Sequence, residues 1–311
     1  MTVQSPSSSG SGHIVVVGSI NMDLVVRAPH LPQPGETIIG SDFKTFPGGK
    51  GANQAVAAAR LGGHVKMIGR VGNDAFGEQL LQTLRADRID TTFVQRDTAA
   101  PSGVALITVE EEGQNTIVVA SGANARVTPD DVEAAAAAFA GASVLLLQLE
   151  CPLPTVRHAI EVARRQQARV ILNPAPSQPL DAQLLSQVDY LAPNQIELAL
   201  LTQSDSLAEG VKRLKALGVK QVVVTLGGDG AAVFDDEQAY QLAPHHVSVV
   251  DTTAAGDAFV GGFAVALVEG KSTRAAAEWG NAAGALAVTR AGAQPSLPSR
   301  AELERFVGSV T

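Results

Sequence analysis

The stretch SVLLLQLECPLPTVRHAIEVARRQQARVILN, residues 143–173, decides the fold class. Its apolar run from Ser143 to Leu149 reads as a buried strand, Pro154 to Gln167 as a helix, and Arg169 to Asn173 as the next strand. Downstream the alternation continues with helix Asp181 to Gln187, strand Tyr190 to Ala192, helices Gln195 to Thr202 and Ser206 to Leu217, and strand Gln221 to Thr225. Strands near Ala231 to Phe234 and Val247 to Val250 follow, then helices starting at Asp257, from Arg274 to Arg290 and from Ser299 to Val307. Upstream, the β-branched run His13 to Gly18 starts the sheet. Helix Ala52 to Leu61, strand Val65 to Ile68, and helices Phe76 to Ala86 and Pro129 to Phe139 come after it. Steady exchange of strand and helix predicts an α/β fold with a mostly parallel central sheet flanked by helices on both faces. Ligands of such sheets gather beyond the carboxyl ends of the strands.

Two segments interrupt the pattern. Between Leu24 and Pro47, short half-polar strands, Leu24 to Val26 and Thr37 to Ile39, sit among Pro29, Pro32, Pro34 and Gly35. From Gly103 to Ala123, GVALITV and NTIVVA flank Glu112-Gly113-Gln114-Asn115, a hairpin by its spacing and glycine. Together they predict a small β-sheet lid, at about 21–50 and 98–123, carried by one domain over 13–311. Residues 1–12, MTVQSPSSSGSG, read as a disordered lead; they have no basic or apolar stretch of a signal peptide.

Of the 311 residues, 45% are hydrophobic but only 4% aromatic, so Val, Leu, Ile and Ala must build the core. The net charge of −8 argues against nucleic acid or an anionic membrane as partner. Cys151 is the only cysteine, which excludes an intrachain disulfide and points to a reducing compartment. A lone cysteine is more often a small apolar filler than a nucleophile. No apolar run approaches the roughly 20 residues a bilayer span needs, so a cytoplasmic protein is expected.

Chemistry concentrates in a few short motifs. Asp251-Thr252-Thr253-Ala254-Ala255-Gly256-Asp257 sets a carboxylate at a glycine-bearing turn that opens a helix, so Asp257 lies beside first-turn N–H groups suited to an anion. Phe46 to Gln54, FPGGKGANQ, puts three glycines, a lysine and an asparagine at a helix start. It is no Walker A loop, since Gly51 stands where a metal-holding hydroxyl is needed; the glycines serve either ligand approach or a hinge. In Gly18 to Asp23, GSINMD, Asn21 and Asp23 suit hydroxyl groups or simply a turn. Glu150, ending LLLQLE, is either a hydroxyl ligand or a strand-end acid. Asn194 is a natural N-cap with Glu197 in the reciprocal position, and Glu197 can also order water on magnesium. Thr225 to Gly230, TLGGDG, offers flexible backbone to a nucleotide or makes a tight turn. The six histidines lack metal-ligand spacing, and His245-His246 reads as an exposed loop.

In this order, GSINMD, GGKGANQA, QLE, NPAP, PNQIE, TLGGDG, DTTAAGD and AVTRAGAQPS resemble the ribokinase/phosphofructokinase-B family of carbohydrate and nucleoside kinases, from about Ile14 to the C-terminus. GGKGANQA with AVTRAGAQPS points to the ribokinase branch. The resemblance implies a ribokinase-like core, a lid that pairs with a second subunit's lid in a homodimer, and transfer of the ATP γ-phosphate to the 5-hydroxyl of D-ribose. It further implies that Asn21, Met22, Asp23, Gly49, Lys50, Gly51, Asn53 and Glu150 hold the sugar. Asp257 would be the base, with Ala254, Ala255 and Gly256 as the anion hole. Asn194, Thr225, Gly227, Gly228, Gly230, Gly256 and Asn281 would line the nucleotide site. Asp251, Thr253, Ala287, Arg290, Gly292 and Ser296 would hold a potassium ion, several through main-chain oxygens, and Glu197 would hold magnesium through water.

Three other readings compete. Kinase action on deoxyribose, fructose, another sugar or a nucleoside shares the same motifs, though Asn21, Asp23 and Asn53 favour a hydroxyl-rich acceptor and no aromatic pair offers to stack a base. A catalytically silent sugar-binding protein would have little use for Lys50, Gly256 and Asp257 together. A nicotinamide oxidoreductase would need the dinucleotide fingerprint after the first strand, which is missing.

Overall fold

The computed structural model describes residues 12–112, 114–235 and 238–308. Residues 1–11 of the Ser/Gly-rich lead and Gly113 of the hairpin turn lie outside them. Thirteen strands are present among the described residues: β1 (His13–Val17), β2 (Asn21–Ala28), β3 (Asp42–Gly48), β4 (Val65–Gly72), β5 (Asp90–Asp97), β6 (Gly103–Glu110), β7 (Asn115–Ala120), β8 (Ala142–Leu147), β9 (Arg169–Leu172), β10 (Tyr190–Leu191), β11 (Gln221–Thr225), β12 (Ala231–Phe234) and β13 (Ala239–Leu242). Nine form one sheet in the order β13-β12-β11-β10-β9-β8-β1-β4-β5, parallel from β11 to β5 and antiparallel where β12 and β13 extend its edge. This is the mostly parallel sheet read from residues 143–173.

Helices cover both faces, and β1 shows how the sequence divides them. Ile14 and Val16 point into one apolar cluster, Val15 and Val17 into the other, as the two-residue period of a strand requires. With Ile14 pack α1 (Lys50–Arg60), α2 (Ala75–Ala86), α9 (Ala255–Val268), α10 (Thr273–Ala287) and α12 (Arg300–Gly308). On the other face lie α3 (Pro129–Ala134), α4 (Ala136–Phe139), α5 (Leu153–Arg165), α6 (Ala182–Leu185), α7 (Gln195–Thr202) and α8 (Leu207–Ala216). The short α11 (Ala293–Ser296) follows α10. α9 is buried from Asp257 to Leu267, so it runs through the core and delivers its N-terminus to the carboxyl edge of the sheet.

β3-β2-β6-β7 form a separate four-stranded sheet, with β2 and β6 parallel at its centre. Its position matches the two interruptions of the alternating pattern. Three readings change. Thr37 to Ile39 is not a strand; the partner of β2 is β3, whose residues 42–48 pair with β2 from Arg27 to Asn21. Pro47 is tolerated there because β3 is an edge. Val247 to Val250 is not a strand either; Val249 and Val250 are exposed, and the last strand is β13, seated against β12. Helix 129–139 breaks at Ala135 into α3 and α4. No helix among the described residues is long and apolar enough to cross a membrane.

Candidate active site

The chain passes twice between the two sheets at one point. Gly18-Ser19-Ile20 links β1 to β2, and Gly49 links β3 to α1. A Cβ on Gly49, whose φ is +86°, would lie 2.7 Å from Asn21 N and 3.0 Å from Ser19 O. One on Gly51 would lie 2.6 Å from Ser19 N, so both glycines permit close backbone approach at the crossing. This crossing gathers polar groups. Glu150 follows β8 and accepts from Ser19 Oγ and, at 3.1 Å, from Lys50 N. Asn21 Oδ1 accepts from Asn124 Nδ2 at 2.6 Å, and the same Asn124 accepts from Ile20 N at 2.9 Å. That bond turns the amino group of Asn21 outward. Asp23, two residues on and on the same face of β2, is 8% exposed. Met22 points the opposite way, its side chain fully buried in the apolar cluster, so only its main chain is left to the site.

Asp257 occupies the first turn of α9. Ala254 caps that helix in the left-handed conformation, φ 59° and ψ 10°, and no side chain closes the turn. Open first-turn N–H groups of a 14-residue helix are an anion site. Around Gly256 a Cβ would meet nothing within 4 Å. The carboxylate of Asp257 is 6% exposed and accepts from Asn53 Nδ2 and from Gln54 Nε2, both at 3.0 Å.

Two cavities meet at this turn. One, of about 330 Å³, is lined by Gly227, Gly228, Gly230, His245 and Asn281. The other, of about 220 Å³, is lined by Lys50, Asn173, Asn194, Glu197 and Asp257. Thr225, Thr252, Ala255 and Gly256 belong to both, so one elongated polyanionic ligand can reach from the first into the second. Gly227 and Gly228 leave open space where a Cβ would stand, which fits a nucleotide lying against backbone. Asn194 caps α7 and Glu197 returns the bond, 2.8 and 2.9 Å, so capping and cavity lining coexist there. Asn281 lines the larger cavity and also donates to Ala243 O at 2.8 Å, which fixes the opposite wall. His245 and His246 lie in a loop as expected, His246 exposed and His245 half-buried, and both line the same cavity.

Charge in this crossing is dense and poorly hydrated. Burial raises the Asp257 carboxyl above the usual carboxylate range; Lys50, Asn53 and Gln54 pull it back down and Glu150 adds to the rise. Asp23 is pushed up to about 7 by burial, then by the charges of Glu150 and Asp257. Burial pushes Lys50 down, but Asp257, Glu150 and Glu197 outweigh it and hold the ammonium charged. Glu197 is raised by burial, against its bond from Asn194 and the charge of Lys50. One lysine therefore balances several carboxylates, a setting in which a carboxylate acts as a base.

The remaining expected ligands lie on the loop before α9 and on the segment from the end of α10 to the end of α11. Asp251 Oδ1 accepts from Thr253 N and Oγ1, at 2.9 and 2.6 Å, and Oδ2 accepts from Gly292 N at 2.8 Å. Val250 N donates to Val288 O at 2.7 Å, so the DTTAAGD turn and the end of α10 are tied together. Arg290 spends its guanidinium on Glu302, and Ser296 donates to Ala293 O, leaving their main-chain oxygens as the groups available to a cation. A carboxylate with several carbonyl oxygens suits a hard monovalent ion. Among the described residues no three His, Cys, Asp or Glu side chains form a metal cluster. A magnesium ion that took its other ligands from phosphates and water would need only Glu197.

The family pattern of the pfkB family carbohydrate kinases matches the chain over residues 11–300. A ribokinase of Haemophilus influenzae is 40% identical over 300 residues, which span 94% of this chain and 98% of that one. A deoxyribokinase of Salmonella typhi is 36% identical over 300 residues, with the same coverage of 94% and 98%. The structure of Arabidopsis thaliana ribokinase complexed with ribose and ATP matches with a TM-score of 0.88 at 35% identity, covering 95% of this chain and 98% of that one.

Proposed function

The chain belongs to the pfkB family of carbohydrate kinases, and from that premise we propose that it transfers the γ-phosphoryl group of ATP to the 5-hydroxyl of D-ribose, giving D-ribose 5-phosphate and ADP. The observation that carries this reading is the buried carboxylate of Asp257 at the open helix turn where the two cavities meet. Asn21, Asp23, Gly49, Lys50, Asn53 and Glu150 hold the sugar. Gly227, Gly228, Gly230, Thr225, Asn194 and Asn281 hold the nucleotide.

Asp257 takes the proton from the sugar hydroxyl while that oxygen attacks the γ-phosphorus in line and the bond to the ADP oxygen breaks. N–H groups of Gly256 and Asp257 hold the transferring oxygens, while the Ala255 N–H, donated to Thr252 O at 3.3 Å, fixes the left-handed turn at Ala254 that precedes them. Because these donors are fixed before the reaction, much of the acceleration is positional. Glu197 would hold a magnesium ion through water, and that ion would supply neutralisation of the phosphate charge. The oxygens of Asp251, Thr253, Ala287, Arg290, Gly292 and Ser296 would hold a potassium ion, which would stiffen the segments that flank the anion hole. Closure of the small sheet over the sugar excludes water and suppresses ATP hydrolysis. A cytoplasmic setting fits the single free, buried cysteine.

An acceptor panel with MgATP, with and without potassium at constant ionic strength, tests the reading. Ribose is expected to turn over at least about tenfold faster than fructose or a nucleoside, and exchange of potassium for a large organic cation to lower the rate several-fold. Deoxyribose is the second candidate, on the strength of the Salmonella relative; a higher kcat/KM for it than for ribose would transfer the assignment. Indifference to the cation would remove the potassium site.

The small sheet also supports a dimer. On the face turned away from Asp23 and Val25, Phe43, Leu106 and Val118 are 63%, 51% and 64% exposed, a continuous apolar patch across β3, β6 and β7. Such a patch on a folded protein marks an interface. The protein is expected to sediment at twice its 32.0 kDa chain mass, and Leu106→Glu at the chain mass. Wild-type protein that sediments as a monomer would sink the pairing.

A further inference from the structure

Behind Asp257 lies a row of buried amides, at one end of which Asn173 also lines the smaller cavity. Gln54 is 0% exposed, Gln148 1% and Asn173 8%. Asn173 Nδ2 donates to Ala192 O at 2.9 Å, Gln54 Nε2 donates to Asn173 Oδ1 at 3.2 Å, and Gln148 Nε2 donates to Gln54 Oε1 at 2.6 Å. The same Gln54 amino group donates to Asp257 Oδ1 at 3.0 Å.

We propose that these three amides form a one-way relay that holds the Gln54 amino group on Asp257 and so sets the pH at which the base is ready. Gln54 is the positioning residue, with Asn173 and Gln148 orienting it. The proposal rests on Asp257 being the base.

The direction of the row follows from its two ends. A main-chain carbonyl such as Ala192 O can only accept, so Asn173 must turn its amino group there and its oxygen toward Gln54. An ionised Asp257 can also only accept, so Gln54 must present its amino group, whose two hydrogens serve Asp257 and Asn173 together. Its oxygen then faces away and requires the donor that Gln148 supplies. Reversing Gln54 would set oxygen against oxygen at both Asp257 and Asn173. Gln148 in turn is seated against the first crossing, where a Cβ on Gly18 would fall 2.1 Å from Gln148 Oε1. In a buried network each misdirected amide is expensive, so the arrangement has one stable direction.

What faces Asp257 from the neighbouring elements is Lys50, Asn53 and Gln54 on α1, Glu150 after β8, Asp23 on β2 and Glu197 on α7. Of these four charged neighbours, the three carboxylates raise the Asp257 carboxyl or are raised by it, and Lys50 alone opposes them. A donor held on the ionised form shifts the balance toward the carboxylate. Remove that donor and the proton is held to higher pH, so the acid limb of kcat moves up.

The test compares pH profiles of kcat for wild type and Gln54→Met, which keeps the volume of the side chain and removes the donor. The carboxylates titrate together, so the difference between enzymes is read and not an absolute value. The acid limb is expected to move up by about one unit, a loss of about tenfold below the limb, with kcat on the plateau changed less than about threefold. A purely structural role for Gln54 would lower kcat equally at every pH and leave the limb in place; that result overturns the relay. If Gln54→Met does not fold, wild-type protein with 15N in its glutamine side chains decides: one side-chain amide should titrate with the limb, and the absence of any such resonance overturns the proposal. Asp257→Asn separates the two ideas, since an unmoved limb beside an inactive Asp257→Asn rejects the relay and keeps the base.

Discussion

Asp257→Asn is expected to lower turnover with ribose about a thousandfold or more, while KM for ribose stays within a few-fold. General-base catalysis contributes roughly a hundredfold to ten-thousandfold, and the upper part of that range applies because the attacking hydroxyl is a weak acid in a site that excludes water. Binding should survive because Asn21 and Glu150 do not depend on the charge of Asp257 for their positions: Asn21 is held by Asn124, and Glu150 by Ser19 and the Lys50 main chain. The substitution should not unfold the protein. It leaves one of the two amide donors, from Asn53 or Gln54, facing an amino group, a loss of about 1 kcal/mol. Against that, it removes a carboxylate whose burial and whose proximity to Glu150 both disfavour its charge. Thermal unfolding is therefore expected near the wild-type temperature. Turnover within tenfold of wild type would take the base role away from Asp257.

How much of this was legible depends on whether the information is local. Apolar runs such as Val144 to Leu147 and Val222 to Val224 declare buried parallel strands without reference to anything else, and the turns at their ends carry the cavity-lining residues. β5, DTTFVQRD, shows no such run, because it lies at the sheet edge, only Thr91, Val94 and Asp97 are buried, and two of those three are polar. Val247 to Val250 misled for the opposite reason: β-branched residues suggest a strand, but no strand pairs with it among the described residues, and Val249 and Val250 are exposed. In the site, Asp257, Lys50 and Glu150 could be singled out by type and neighbouring glycines. Met22 could not be placed correctly by motif, because the alternation of β2 sends it into the core between two polar neighbours. Asn124 lies in none of the motifs, and Ser19, Gln54, Gln148 and Asn173, though inside GSINMD, GGKGANQA, QLE and NPAP, carry no local sign of their roles. Their bonds join residues as far apart as Asn124 and Asn21 or Gln54 and Asn173, so only the folded chain brings donor to acceptor.

Gly256→Leu is expected to abolish phosphoryl transfer, by a hundredfold or more on the scale of losing oxyanion donors, in a protein that folds normally. The glycines of this chain divide into two kinds, and the substitution distinguishes them. At Gly51 a Cβ would strike Ser19 N at 2.6 Å and Gly18 Cα at 2.7 Å, so any side chain there forces α1 off the end of β1 and damages fold and site together. At Gly256 a Cβ meets nothing within 4 Å, and the residue lies in the second position of α9 with ordinary helical neighbours. Leucine is a better helix former than glycine, by about half to one kcal/mol, so the substitution should leave thermal unfolding unchanged or raise it slightly. What it fills is the opening shared by the two cavities, where the phosphate chain must pass from Gly227 and Gly228 toward Asp257. Two measurements on one protein give the answer: the unfolding temperature, and turnover at saturating ribose and MgATP. A stable protein with lost turnover places the transferring phosphate at the α9 turn. Retained turnover would mean that the phosphate chain takes another route to the base, and would remove the first turn of α9 from the mechanism.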